Sequence, residues 1–404
     1  MKVGTSPVKI CGHPSHYKPS IQTISMTTVS FVSFDLAGLE TRLLSELKTG
    51  FRPTLAVIFC SPQQAYTDIG ELFDRYNIDL MGCTTAGEIV DAELHDSAIS
   101  CLLLDVNRAY YKLIFTKNTE GVFQTGRQVR READATFRNP ALIVASAGVT
   151  NDGEEIVRGL KSAAFSREIP LFGGLAGDDL TIVNTYIFSR TTITHDGIAA
   201  IVFDNDKIEI KGIATSGWQA LGSSHTVTKA QGNTVYTIND EPALDFFIRF
   251  FGFHDNANVK GKQLSTIAAQ YPLQVIRGDD YAVLRSPIKG NDENRSLMLV
   301  GSLKVGDQFK FSISPGIEVI DQTIAEVKAF LHDTLDADAL ILFSCKGRHA
   351  ALGPFLCDEI EGIYNHWKKP MIGFLTYGEI GNVKKGICEF HNETCSLLAI
   401  KERN

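Results

Sequence analysis

The fold is decided by the stretch Leu80-Met81-Gly82-Cys83-Thr84-Thr85-Ala86-Gly87-Glu88, an apolar run that ends in a glycine-bounded turn and an acid. An apolar run at residues 55–61 precedes it and predicts a buried strand, and a helical stretch follows near residues 68–73. A His-Asp turn at residues 94–98 and an apolar strand at residues 99–104 come next. This order of features predicts one α/β unit.

The same order of features occurs twice more, as an internal repeat. At the far end of the chain the strand, helix, glycine turn, His-Asn turn and last strand lie at residues 339–345, 357–360, 371–379, 390–394 and 395–400. A weaker copy lies between, at residues 141–146, 154–158, 171–178, 194–197 and 198–203, with Asp178 in the place of the turn's acid. The predicted fold class is α/β (α+β), with related mixed-sheet units, flanking helices and pseudo-duplicated N- and C-terminal halves.

The segments between the copies indicate where the domains divide. Residues 207–214 alternate polar and apolar side chains, as a half-buried strand does, and residues 242–251 predict a helix with aromatic residues on one face. A turn at Gln231-Gly232-Asn233 separates these two segments. We therefore predict an N-terminal extension at 1–29, an N-terminal domain at 30–232 and a C-terminal domain at 233–404.

Composition and charge exclude several classes of function. The chain has 404 residues, 44% of them hydrophobic and 21% charged, with a formal net charge of −8. This acidic balance, without long Lys/Arg runs, argues against nucleic acid as a partner. No apolar run approaches the ~18 residues of a membrane span, and the first residues lack the apolar core of a signal peptide. We expect neither secretion nor membrane insertion.

The cysteines point to a reducing compartment. None of the eight forms a Cys-x-x-Cys pair, and four lie in apolar runs, at positions 60, 101, 345 and 395. Cysteines used as small core residues are typical of the cytoplasm, where disulfides are rare. The cluster of Cys11, His13 and His16 offers three metal ligands without a fourth, so we do not expect a closed metal site there.

The glycine turns have two interpretations. Residues 82–88, 173–178 and 373–379 each end in a glycine followed by an acid, which does not suit a phosphate cradle. The glycines serve either the backbone geometry of the turn or the lining of a ligand pocket. The pairs Asp178-Asp179 and Asp279-Asp280 are interpreted as solvated turn acids. No known catalytic motif is present, so we do not expect an enzyme.

The histidines fall into two classes. His95, His195 and His391 occupy the same place in each copy, which predicts a structural role in the turn. His349 has no counterpart and lies in a predicted loop at residues 346–354, after a buried strand. An imidazole there, beside small alanines, suits the ligation of a bulky flat cofactor. A solvated loop histidine is the alternative.

The repeated stretches at residues 82–88, 172–178, 343–348, 373–379 and 391–394 resemble the FIST sensory-domain family over roughly residues 30–400. That resemblance implies a role in bacterial signal transduction and the sensing of a small ligand. The length, the absence of fused output domains and the pair Arg348-His349 are similar to the haem-binding nitric oxide sensors of the family. For those members the resemblance implies a histidine kinase or a cyclic-di-GMP enzyme as partner.

The resemblance to the haem-binding members implies roles for particular residues. His349 would be the axial ligand of the haem iron, with His391 as the alternative ligand. Arg348, Lys346 and Arg285 would be the partners of the haem propionates, and Trp218 would pack against the porphyrin. Nitric oxide would then bind the iron. The alternatives are a metal-free module that binds an amino acid or similar metabolite, and a pure interaction adaptor; a homodimer is compatible with each.

Overall fold

The computed structural model describes residues 26–162, 167–252, 270–277, 281–314, 316–383 and 386–403. The chain is a mixed α+β protein, which confirms the predicted fold class. The sequence motifs at residues 11–16 and at Asp279-Asp280 lie outside the described residues.

The first repeat unit begins at the first described strand. Its elements are β1 (Thr28–Ser33), α1 (Leu36–Lys48), β2 (Leu55–Cys60), α2 (Tyr66–Arg75), β3 (Asp79–Thr84), β4 (Glu88–Val90), β5 (Glu93–His95) and β6 (Ile99–Leu104). A short 3₁₀ helix at Arg108–Tyr110 leads out of it. The Asp35 carboxylate accepts a hydrogen bond from the Gly38 amide and so caps α1.

The second unit follows the same plan. Its elements are β7 (Tyr111–Lys117), α3 (Val122–Thr136), β8 (Pro140–Ser146), α4 (Gly153–Leu160), β9 (Leu171–Leu175), β10 (Ile187–Phe188), β11 (Ile193–Thr194) and β12 (Gly197–Asp204). The repeat is recognisable in the sequence only from residue 141, so the helix α3 is an addition that the structure makes to this unit.

The third unit starts with β13 (Ile208–Thr215) and is then interrupted by an inserted subdomain. The insertion contains β14 (Gln219–Gln231), β15 (Thr234–Ile238), β16 (Glu241–Pro242), α5 (Ala243–Phe250), β17 (Leu273–Arg277), β18 (Tyr281–Arg285), β19 (Pro287–Gly290), β20 (Leu297–Leu299) and β21 (Gln308–Ile313). These strands form one sheet in the order β18-β17-β21-β14-β15-β20-β19, with β16 beside β15. The turn at residues 231–233 joins β14 and β15.

The third unit resumes after the insertion. Its elements are α6 (Glu318–Phe330), β22 (Ala339–Cys345), α7 (Lys346–Leu352), a 3₁₀ turn at Gly353–Phe355, α8 (Leu356–Trp367), β23 (Met371–Thr376), β24 (Glu379–Asn382), β25 (Cys388–His391) and β26 (Cys395–Glu402). Residues 346–352 are therefore helical, which corrects the predicted loop around His349. The helix begins directly after β22, and no polar connection separates the two elements.

Three six-stranded sheets share one strand order. The orders are β1-β6-β2-β3-β10-β11, β7-β12-β8-β9-β24-β25 and β13-β26-β22-β23-β4-β5. In each sheet the central pair is parallel and its other neighbours are antiparallel. The strand order is therefore the same at both ends of the chain, as the repeat predicts, and the intermediate copy makes a set of three.

Each unit gives its hairpin to another unit's sheet. The β4–β5 hairpin of the first unit pairs with β23 of the third, and the β24–β25 hairpin of the third pairs with β9 of the second. The β10–β11 hairpin of the second unit pairs with β3 of the first, which closes the cycle. None of the three six-stranded sheets is complete without a second unit, so the three units interlock.

The inner faces of the three sheets meet in one core. The shared core includes Val57, Phe59, Ile143, Phe172, Phe343 and Phe374. The Phe59 ring lies 4.5 Å from the Phe374 ring and 6.2 Å from the Phe343 ring, measured between centroids. The outer faces are covered by helices, α1 and α2 on the first sheet, α3 and α4 on the second, and α6 and α8 on the third. The described cysteines are all free, and only Cys357 is exposed.

Candidate functional site

The three glycine turns meet at the end of the sheets where the central strands finish. The amide of Ala86 donates to the carbonyl of Leu375 at 3.1 Å, and the amide of Leu375 donates to the carbonyl of Gly87 at 2.8 Å. The first and third turns are thus joined by a reciprocal pair of backbone hydrogen bonds. Gly87 has φ +138°, a backbone angle that favours glycine, so this glycine serves turn geometry.

The third turn bonds the second in the same way. The amide of Tyr377 donates to the carbonyl of Leu175 at 3.0 Å, and the amide of Leu175 donates to the carbonyl of Gly378 at 2.8 Å. Gly378 has φ +154° and so repeats the geometry of the first turn. At both junctions the same pair of backbone hydrogen bonds therefore holds one unit's hairpin beside the sheet of another unit.

The second turn closes the ring but contains an insertion. The amide of Gly177 donates to the carbonyl of Thr84 at 3.0 Å, and the amide of Thr84 donates to the carbonyl of Tyr186 at 2.9 Å. In the other two turns the corresponding residues are consecutive, whereas here residues 178–185 lie between them. We call residues 178–185 the inserted loop.

The inserted loop shows that the predicted equivalence of Asp178 to the acids of the other two turns is wrong. Glu88 pairs with Phe374 and Glu379 pairs with Gly174 at the start of their hairpins, and the residue in that register in the second unit is Ile187, which pairs with Cys83. Asp178 therefore does not take the place of the turn's acid. The sequence comparison missed this because it aligned the first acid after the glycine and did not allow for an inserted loop.

The two equivalent glutamates anchor their hairpins. Glu88 accepts hydrogen bonds from the Thr85 hydroxyl and, at 2.9 Å, from the Ala98 amide. Glu379 accepts hydrogen bonds from the hydroxyl of Thr376 and, at 2.7 Å, from that of Thr394. Both side chains are buried, and burial raises the pKa of each to about 7.

Asp178 is the hub of the inserted loop and not a solvated turn acid as predicted. Its carboxylate accepts hydrogen bonds from the amides of Ile182 at 2.9 Å and Val183 at 2.7 Å, and from the Thr181 hydroxyl at 2.7 Å. Burial alone would raise the pKa of Asp178, but hydrogen bonds from Tyr377, Thr181 and these amides outweigh it and lower the pKa. The carboxylate therefore fixes the course of the loop.

The inserted loop is strained and apolar at its surface. Asp179, Leu180 and Ile182 have φ of +54°, +63° and +52°, the left-handed region that non-glycine residues rarely adopt. Leu180, Ile182 and Val183 are 56%, 64% and 65% exposed. Such backbone strain persists only where surrounding contacts hold it, and it is concentrated at functional sites.

A cavity of about 320 Å³, widely open to solvent, lies beneath the inserted loop. Its volume is at the lower end of the range for small-molecule sites. Pro62 and Gln63 of the β2–α2 connection form one side. The other lining residues are Asp178, Asp179, Thr181, Val183, Asn184 and Tyr186. The cavity therefore exists because the second turn carries residues that the first and third lack.

Charged groups converge beside this cavity. The Asp179 carboxylate accepts a hydrogen bond from the Ser61 hydroxyl at 3.2 Å, and Asp96, Asp179 and Glu88 all act electrostatically on the Lys346 ammonium group. Burial lowers the pKa of Lys346, while the three acids oppose that shift. Glu88 is about half protonated at pH 7, but Asp96 and Asp179 alone outnumber the single ammonium group. The remaining excess of negative charge suits a ligand's cationic group.

His349 lies next to this charged group. Its Nδ1 atom is 3.3 Å from Nζ of Lys346, and the side chain is half-buried in α7. Burial and the neighbouring Lys346 lower the pKa of His349 below its usual value, so the imidazole is neutral at pH 7. A neutral imidazole is the form that binds a metal.

The two arginines predicted to bind propionates are both fully buried and paired. Arg348 donates to the Glu359 carboxylate, with Nε 3.0 Å from Oε1, and its guanidinium carbon lies 5.0 Å from the centre of the buried Trp218 ring. Arg285 donates to the Glu154 carboxylate at 2.5 Å. A propionate could reach either guanidinium only after its ion pair opened, which leaves a carboxylate without its partner.

His391 is buried and serves its hairpin. Its Nε2 atom lies 3.1 Å from the carbonyl oxygen of Gly381, and burial lowers the pKa of His391 to about 3, so the ring is neutral. The counterparts differ: His195 is exposed, and Nε2 of His95 lies 3.3 Å from the Glu93 carboxylate. In the strand register His95 lies opposite Glu88, and His391 lies opposite Glu379. Thr194 takes that place in the second unit, opposite Ile187, and His195 follows it by one residue. The predicted common position is therefore wrong for His195.

The residues predicted for haem lie outside two cavities that the described part of the chain contains. They line neither the cavity beneath the inserted loop nor a second one, of about 380 Å³, beside Phe31, His95 and Tyr364. Over the described ranges, no group of three or more His, Cys, Asp or Glu side chains is placed to hold a metal ion. Haem binding stays a prediction.

Sequence reasoning missed the inserted loop and its cavity. A usable signal was the spacing from Gly177 to the next hairpin strand, which is longer than in the other copies. The mainly apolar run Leu180-Thr181-Ile182-Val183, directly after Asp178-Asp179, was a second signal. In the described part of the chain, none of the helices has the length and apolar character required to cross a bilayer.

The sequence matches two known domain families. The FIST N domain matches residues 54–241, and the FIST C domain matches residues 243–382. A search of curated proteins finds no match. FIST domains are small-ligand sensory domains of signal transduction, and the predicted division at residues 232/233 stays a prediction. Since the two domains together match most of its length, the chain belongs to the FIST family.

Proposed function

We propose that this FIST protein senses a small metabolite that carries a protonated amine, such as an amino acid, in the cavity beneath the inserted loop. One observation carries the proposal: only one of the three equivalent turns is extended, and its extension builds a cavity beside an excess of carboxylates. Asp179 is the exposed carboxylate of that lining.

The charges support a zwitterion. The ligand's ammonium group would pair with Asp179, and its carboxylate would lie towards the Lys346 ammonium group, which interacts with Asp179 across the same region. Such a pairing satisfies both charges of an amino acid at once. Binding would stabilise the loop, and a signalling partner such as a histidine kinase or a cyclic-di-GMP enzyme would respond to that change.

Calorimetry of the full chain against the twenty standard amino acids tests the proposal. We expect at least one amino acid to bind, with Asp179→Asn weakening its affinity about tenfold or more, because the variant removes the charge but keeps the shape. Asp292→Asn is the matched control, since Asp292 is an exposed acid paired with Arg295 in the inserted subdomain. Equal affinities of the Asp179 variant and the wild type would contradict the site.

Haem-based nitric oxide sensing is the second candidate, favoured by the neutral, half-buried imidazole of His349. Haem would supply the iron that binds nitric oxide, and His349 would hold it. The buried pairing of Arg348 and Arg285 disfavours this candidate. A visible spectrum of protein from haem-supplied cells tests it: a Soret band that His349→Ala abolishes would support haem, and no band in the wild type would reject it.

A further inference from the structure

We propose that Tyr377 is a positioning residue for this ligand site: a latch, supplied by the third unit, that holds the inserted loop of the second unit in its strained conformation. The proposal rests on the proposed function, because it concerns how the same cavity is kept in shape. It assigns Tyr377 no contact with the ligand.

The contacts of one hydroxyl group define the latch. The Tyr377 hydroxyl donates to Oδ1 of Asp178 at 2.5 Å and accepts a hydrogen bond from the Leu180 amide at 2.8 Å. The Asp178 amide lies 3.3 Å from the same oxygen and donates to it. The hydroxyl therefore bonds both the hub of the loop and its left-handed backbone.

The latch breaks the symmetry of the three turns at a second place. The residues equivalent to Tyr377 are Ala86 and Gly177, since each donates the corresponding backbone hydrogen bond to the neighbouring turn. Neither of these has a side chain that can reach a neighbouring loop. Among the three turns, only the second carries an inserted loop, and only the third has a tyrosine at this position. The tyrosine and the inserted loop contact each other.

The strain of the loop explains why a latch is needed. Left-handed backbone is unfavourable for residues other than glycine, and Asp179, Leu180 and Ile182 all adopt it within the loop. The cost is highest for Ile182, because its side chain is β-branched. The Asp178 carboxylate ties the later amides of the loop, those of Ile182 and Val183, from within. Tyr377 ties the earlier amide, that of Leu180, from outside.

The latch also links the cavity to the β24–β25 hairpin of the third unit. Asp178, Asp179, Thr181 and Val183 line the cavity, so a shift of the loop changes the shape of the site. Tyr377 immediately precedes Gly378 and the β24–β25 hairpin, which pairs with β9. A shift of the loop would therefore be transmitted through Tyr377 to this hairpin, which joins the second and third units.

Tyr377→Phe tests the latch, because it removes the hydroxyl and keeps the ring. Tyr281→Phe is the matched control: the Tyr281 hydroxyl donates to the Glu389 carboxylate at 3.1 Å, away from the loop. In the ligand-free chain we expect amide hydrogen exchange in residues 178–185 to rise at least about tenfold in Tyr377→Phe and to stay unchanged in Tyr281→Phe. Exchange that is unchanged in Tyr377→Phe, or raised equally throughout the chain, would overturn the latch.

Ligand affinity is the second readout. For the amino acid that binds the wild type most tightly, we expect Tyr377→Phe to weaken the affinity about tenfold or more and Tyr281→Phe to leave it unchanged. A looser loop with unchanged affinity would overturn the positioning role. If no amino acid binds the wild type, the proposed function fails, and the exchange experiment alone decides whether Tyr377 holds the loop.

Discussion

The first and second glycine turns start from the same backbone scheme and end in different structures. In the first, Ala86 and Gly87 are consecutive and the buried Glu88 anchors the hairpin that follows. In the second, residues 178–185 are inserted and the anchoring position is held by the apolar Ile187. The comparison shows that this repeat tolerates a binding loop because the hydrogen bonds on either side of the insertion are kept.

Removal of the inserted loop is expected to have the largest effect. A chain that lacks residues 178–185 and carries Tyr186→Gly restores the spacing of the other turns and their positive φ at this position. We expect the fold to survive and ligand binding to be lost completely, because the lining of the cavity is removed. Circular dichroism and calorimetry measure the two outcomes.

Tyr186→Gly alone is the control for that deletion, since it keeps most of the lining. Retained binding in the deleted chain would place the ligand site elsewhere. A deleted chain that cannot fold would show that the loop belongs to the structural unit.

Ile187→Ala sharpens the comparison of the anchors. Ile187 is completely buried, so its truncation leaves a cavity that is expected to lower the free energy of unfolding by about 2–4 kcal/mol. Chemical denaturation measures the loss. Ile193→Ala on the paired strand β11 is the control and should cost less, because Ile193 is only partly buried. Equal losses would mean that burial at the anchor is not what holds the hairpin.

The glutamate anchors should make stability depend on pH, whereas the Ile187 anchor cannot. Burial raises the pKa of Glu88 and Glu379 to about 7, above the value in an unfolded chain. A raised pKa stabilises the fold at low pH, and that contribution is lost as the pH rises from about 4.3 to about 7, by up to about 1.4 kcal/mol per pH unit and group.

Glu379→Gln tests this dependence, because glutamine stays neutral. We expect the free energy of unfolding of the variant to fall less steeply between pH 5 and 7 than that of the wild type. Glu361→Gln, at an exposed position of α8, controls for the loss of charge. If the free energy of unfolding changes with pH in the same way for the wild type and Glu379→Gln, then ionisation of Glu379 does not cause the pH dependence.

Relief of strain in the inserted loop is expected to have the smallest effect. Ile182 adopts a left-handed conformation that asparagine accepts readily, and its side chain is mostly exposed. Ile182→Asn should therefore raise the free energy of unfolding by about 1 kcal/mol. Val183→Asn, at a neighbouring exposed position without positive φ, should be neutral. A loss of stability in Ile182→Asn would show that the isoleucine side chain makes a contact worth more than the strain.

The recovery of the repeat and the failure at the site have different causes. Runs such as residues 55–61 and 339–345 are recognisable because a fully buried strand needs apolar residues on both faces. Arg348 and Arg285 were interpreted as accessible cations because a sequence does not show the partners Glu359 and Glu154 that bury them. The predicted loop at His349 was wrong because the sequence after β22 carries no signal that separates a polar loop from a helix start.

The sequence by itself determined three α/β units with glycine turns, since strand burial, helix periodicity and turn residues are local properties. Only the tertiary structure decided that the hairpins are exchanged between units, because strand pairing between distant segments depends on which edges meet. The same holds for the latch between Tyr377 and Asp178, whose partners lie 199 positions apart. The fold of each unit is local chemistry, while the candidate site arises where one unit's insertion meets the side chains of the other two.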